Sequence, residues 1–247
     1  MKDINTILTE LLEESGATVI ITNPEDLLGL QKDGLKLDPV VSITPQEHVE
    51  KLFEAKKKLA LDILNKIPTL PNVPIPTIGL LWKEIVGCVL FGNNGAAISL
   101  SAVLVEYALK EAIIKNKHSN GYNAEEWNRI EKIEFGTAIE EAKELNILSD
   151  DNTVREFQDF KNRIRNPYLH YNIKKITKGV RANKVKKLDI QTQKVEEVQL
   201  DTENDPILWP YAKKFVDKNG LEEALNFACY AVGLLLNKNY EKQRTPN

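Results

Sequence analysis

From Ile85 to Val105 the chain carries no charged residue, and an uncharged run of that length has few ways to fold. It matches the thickness of a bilayer, yet Gly92-Asn93-Asn94-Gly95 stands inside it. Two amides and two glycines at mid-bilayer would be costly and would break a spanning helix. The run therefore predicts two buried helices joined by a tight turn, and no membrane partner. Helices buried this deeply need a core around them. A chain of 247 residues with 42% hydrophobic and 28% charged residues can supply one.

The rest of the chain is organised around that pair. Residues 1–66 read as an N-terminal extension. It holds a short helix at Ile4–Glu14, short strands at Ala17–Thr22 and Val40–Thr44, and a helix opened by Thr44-Pro45-Gln46-Glu47 as a capping box. Pro68, Pro71, Pro74 and Pro76 make 67–79 a stiff connector. From 80 to 242 the pattern is helical: Trp82–Leu90, Ala96–Lys115, Asn123–Leu145, Asn152–Arg165, a further segment from Pro167, and Leu221–Tyr240. In the second of these, Ala97, Ser101, Leu104, Val105, Ala108 and Ala112 form one stripe. The β-branched stretch Val185–Leu200, with a polar centre, predicts a hairpin inserted at about 178–205. The fold class is mainly α.

Cys88 and Cys229 are far apart and belong to no CxxC or Cys/His cluster. Neither a metal nor a cofactor is expected from such a sequence, and cysteine usage of this kind fits a reducing compartment. The acidic N-terminus lacks a signal-peptide core, so a cytoplasmic location is the expectation.

Charge is distributed unevenly. Residues 161–187 hold ten Lys or Arg and no Asp or Glu. Removing those ten from the net −3 leaves −13 on the remainder. Such a stretch is either a phosphate-binding footprint or a solvated face that pairs with the acidic helix Asn123–Leu145. Lys174, Lys175, Lys178 and Arg181 are the candidates for RNA phosphates.

Inside this stretch lies Arg163-Ile164-Arg165-Asn166-Pro167-Tyr168-Leu169-His170. Of three histidines in the chain, only His170 has arginines close by in sequence. An imidazole can move a proton near neutral pH, and a guanidinium can stabilise charge gathered on phosphorus. Asn166 precedes a proline, which biases it away from helical torsions and predicts a cap and kink there. A straight helix would put Arg163 on the face of His170, whereas a kink could bring Arg165 across. The sequence leaves that choice open. Glu106 reads as structural, an i,i+4 partner of Lys110, or at most as a group supporting the site residues from behind.

Arg165-Asn166-Pro167-Tyr168-Leu169-His170 resembles the motif of HEPN domains, an Arg followed by a polar residue and, a few positions on, a His. The resemblance covers about residues 80–240, without the hairpin insert. It implies a HEPN-like helical bundle and a metal-independent endoribonuclease acting as a homodimer. Arg165 and His170 would be catalytic, with Asn166, Arg163 and Tyr168 in support. It also implies RNA as the partner, with a toxin or phage-defence role and an antitoxin or regulatory protein compatible with the family. The alternative is a degenerate, non-catalytic module that binds nucleotides or protein. Cleavage through a 2′-hydroxyl needs one group to take a proton and one to give it. This chain offers one placed His, so a second from a symmetry mate would complete the site. Tyr168, Leu169 and Tyr171 would supply the apolar contact.

Overall fold

A computed structural model describes residues 45–118, 123–188 and 195–237. The helix, strands and capping box expected within 1–44, and the side chain of Glu47, lie outside the described residues. The chain divides into two compact units, 1–58 and 59–247. The first helix, α1 (Pro45–Leu64), runs through that boundary. Within the first unit its exposed face carries the i,i+4 hydrogen bond from Gln46 to Glu50, 3.0 Å long.

The second unit is mainly α-helical, as expected. Its helices are α2 (Pro76–Leu90), α3 (Asn94–Lys117), α4 (Ala124–Lys132), α5 (Phe135–Glu144), α6 (Asp151–Phe160), α7 (Asn166–Leu169), α8 (Ile173–Ile176) and α9 (Trp209–Leu236). A π-helical turn, Lys161–Arg165, joins α6 to α7. Among the described residues no helix is long and apolar enough to cross a membrane.

Helix α3 sits at the centre, packed against α2, α5 and α9. The whole predicted stripe from Ala97 to Ala112 is buried, and so are Ile98, Ala102, Leu109, Ile113 and Ile114 on the other sides. A helix apolar nearly all round can only be stable when covered all round. On α9, Leu221, Ala224, Leu225, Ala228, Ala231 and Val232 are buried against the same core, and the small residues allow close approach.

The uncharged run folds as the two helices α2 and α3, and the turn between them is a Schellman motif. Asn93 donates its backbone N–H to the Cys88 carbonyl at 2.8 Å, Gly92 donates to Val89 at 2.9 Å, and Gly92 has φ 72°. Glycine takes that left-handed position without a Cβ clash.

Several expectations are corrected. α2 begins at Pro76, not Trp82, because a proline at the first helical position gives up an N–H that has no partner there anyway. Asn123–Leu145 is two helices, broken where Ile133 and Glu134 are extended. Ile130 and Phe135 are both fully buried. Five positions apart, they could not share one face of a straight helix. Asn166 is not a non-helical cap. It is helical (φ −66°, ψ −45°), and its N–H reaches back five residues to the Lys161 carbonyl. The wider π turn accepts Pro167, whose ring would otherwise crowd the carbonyl four residues earlier.

The hairpin forms from β1 (Arg181–Leu188) and β2 (Val195–Asp201), antiparallel, with a register shift between Ala182 and Val185. The final helix starts at Trp209, twelve residues before Leu221.

Candidate functional site

Arg165 ends the π turn and points at α3. Its Nε and Nη2 both donate to Glu106 Oε2, at 3.1 and 2.9 Å, and its Nη1 donates to Asn166 Oδ1 at 3.0 Å. The other Glu106 oxygen lies 2.8 Å from Lys110 Nζ, and Lys110 also donates to the Glu131 carbonyl at 3.3 Å. The side chains of Arg165, Glu106 and Lys110 are 19%, 16% and 11% exposed. One carboxylate therefore holds two cations in a poorly solvated place. The Glu106–Lys110 pair follows from their spacing; the Arg165 partner does not.

Arg163 leaves the opposite side of the turn and meets Glu223 of α9 at 3.2 Å, an exposed contact of small energetic weight. His170 is exposed and caps α7. Among the described residues no hydrogen bond or ion pair joins His170 to Arg163 or Arg165.

Tyr168 is 8% exposed, which corrects the expectation that it offers apolar surface to a partner. Its hydroxyl donates to Asp217 Oδ1 at 2.8 Å. Burial and the neighbouring carboxylate hold that phenol well above its ordinary pKa. Lys213 pairs with the second oxygen of Asp217. Leu169 is half-buried, while Tyr171 is exposed.

The basic residues divide. Lys175 and Lys178 line a cavity of about 480 Å³ together with Asn162, Arg163, Pro167, Tyr168 and Glu223. Lys174 lies 5.8 Å from the centre of the Trp209 ring. Arg181 stands opposite Asp201 in the hairpin register and helps hold that carboxyl below its usual range, after hydrogen bonds from Asn204. Two acids of α4 and α5 have other partners. Glu126 and Glu141 both meet Lys117 and Arg129, and Lys143 meets Asp151. Among the described residues no ion pair ties Lys174, Lys175, Lys178 or Arg181 to residues 123–145.

Sequence reasoning missed Glu106 as the partner of Arg165, and Lys213 and Asp217 altogether. The one available signal for Glu106 was an acid inside an otherwise acid-free part of α3. No family model, curated protein or solved structure matches this chain.

Proposed function

We propose that this chain is a metal-independent endoribonuclease of the HEPN type, acting as a homodimer on RNA. The observation that carries the reading is Arg165, held by Glu106 and Asn166 five residues before an exposed His170. His170 takes the proton of a 2′-hydroxyl, or gives one to the departing oxygen. The 2′-oxygen bonds to phosphorus, the bond to the 5′-oxygen breaks, and the products are a 2′,3′-cyclic phosphate and a 5′-hydroxyl. Arg165 stabilises the negative charge on the phosphoryl oxygens. Glu106 keeps the guanidinium oriented before substrate arrives, so little reorganisation is needed at the moment of reaction. A second His170 from a two-fold mate supplies the missing proton-transfer group, and exposed Tyr171 serves the contact between subunits. Lys174, Lys175, Lys178 and Arg181 bind backbone phosphates and do not read bases.

A second reading is favoured by the same ion pair. Arg165 is already engaged by Glu106 and Asn166, as in a degenerate HEPN-type module that binds nucleotides or protein without cutting. Incubating the protein with single-stranded and structured RNA, with and without EDTA, separates the two. Cleavage that persists in EDTA and leaves cyclic phosphate ends supports the first. RNA retained intact under all conditions supports the second.

A further inference from the structure

Three helices of the second unit stop in the same way. In α2, α5 and α7 a left-handed residue follows the last turn, and the next N–H reaches back five residues: Asn93 to Cys88, Ile147 to Ala142, and Asn172 to Pro167. The left-handed residues are Gly92 (φ 72°), Asn146 (φ 55°) and Tyr171 (φ 47°). Glycine and asparagine are ordinary there. Tyrosine is not, because its Cβ crowds the following carbonyl. Strain of this kind persists only where the surroundings over-determine it, and it gathers at working sites.

The surroundings of Tyr171 are specific. Lys213 Nζ lies 5.6 Å from the centre of its ring and 5.2 Å from that of Tyr168. Lys213 is ion-paired with Asp217, and Asp217 accepts the Tyr168 hydroxyl at 2.8 Å. His170 stands between, two residues after one tyrosine and one before the other. The backbone on both sides of the imidazole is therefore tied to one Lys–Asp pair on α9. A buried ion pair contributes little net stability compared with well-packed apolar side chains, so its presence here calls for a reason other than stability.

We propose that Lys213 and Asp217 are positioning residues for His170, fixing through Tyr168 and Tyr171 the strained helix end that presents its imidazole. The proposal rests on the reading of His170 as the proton-transfer group, and the test keeps the two apart. The full chain is labelled with ¹³C at the histidine rings, and the His170 signal is assigned by comparison with His170→Ala. Asp217→Asn and Lys213→Met should move or broaden that signal while His118 is unchanged, and Lys213→Arg should restore it. With single-stranded RNA as substrate, kcat should fall about tenfold with KM held within about twofold, the pattern of a misplaced reacting group. Tyr168→Phe removes one hydroxyl and keeps the packing, so it serves if the charged variants fail to fold; it should shift the signal in the same direction. A His170 signal identical to wild type in Asp217→Asn and Tyr168→Phe overturns the proposal, as does a change confined to KM. If the wild-type protein does not cut RNA, the reading of function falls and the resonance measurement still decides the positioning role.

Discussion

Removing the Glu106 carboxylate should expose the energetics that hold Arg165. In Glu106→Ala two cations, Arg165 and Lys110, remain in places only 19% and 11% exposed, with no counter-charge from α3. Breaking a buried pair from one side costs about 3–5 kcal/mol, and the residual exposure here argues for the lower end, about 3 kcal/mol. For a domain of this size that is a fall in Tm of roughly 6–12 °C. Glu106→Gln keeps one acceptor oxygen and turns the other into an NH2 donor facing either Arg165 or Lys110, so it loses the charge and one of the two contacts, and at least about 1.5–3 kcal/mol is expected from a hydrogen bond to a charged group. Arg165→Met removes the other partner. Urea unfolding of both single variants and the double variant then forms a cycle, with an expected coupling of about 1.5–3 kcal/mol. Additivity within about 0.5 kcal/mol would mean that Arg165 and Glu106 do not interact in solution, and the account of a preorganised guanidinium would fail.

Three further outcomes follow from particular contacts. Gly95→Ala would place a Cβ 2.6 Å from Asp217 Oδ2 and 2.7 Å from Lys213 Nζ, so it should cost about 1–3 kcal/mol by overpacking; an unchanged Tm refutes the close approach. Hydrogen bonds from Arg129, then from Lys117, hold the Glu126 carboxyl at about 2, well below its unfolded value of about 4.3. A depressed carboxyl stabilises the fold above its unfolded pKa and loses that contribution as pH falls toward 2. Glu126→Gln should therefore flatten the loss of stability between about pH 4.5 and 2, and equal slopes by urea titration would refute the network. Burial pushes the Cys229 thiol up to about 12, so a thiol reagent at pH 8 should modify half-buried Cys88 first; equal rates would contradict the burial.

Much of the fold was legible because it is local. The stripe on α3, the Gly92–Gly95 turn and the β-branched hairpin each announce themselves over a few residues. What was not legible depends on distance. Glu106 and Arg165 are 59 positions apart, and Lys110 offers a sufficient local partner for the carboxylate, which conceals the longer bond. Tyr168 looked like surface because Asp217, its hydroxyl's acceptor, is 49 positions away. Pro167 signalled a break in the helix, but a proline has two remedies, a kink with a new cap or a widened turn, and only packing selects between them. The break at Ile133 is hidden by an unbroken polar pattern; it shows only when Ile130 and Phe135 must both reach the core. In the candidate site, Arg165, Asn166, Tyr168 and His170 could be named from sequence, and the bonds from Arg165 to Glu106 and from Tyr168 to Asp217 could not.

The most direct test of the central claim is single-turnover cleavage of an end-labelled single-stranded RNA by the wild-type protein, Arg165→Ala and His170→Ala. A matching strand with a 2′-deoxy sugar at the cut position serves as control. The account predicts cleavage by the wild type with a 2′,3′-cyclic phosphate end, none at the deoxy position, and a loss of about 100-fold or more in each variant. Cleavage of the deoxy strand, or variants that cut at the wild-type rate, would contradict it.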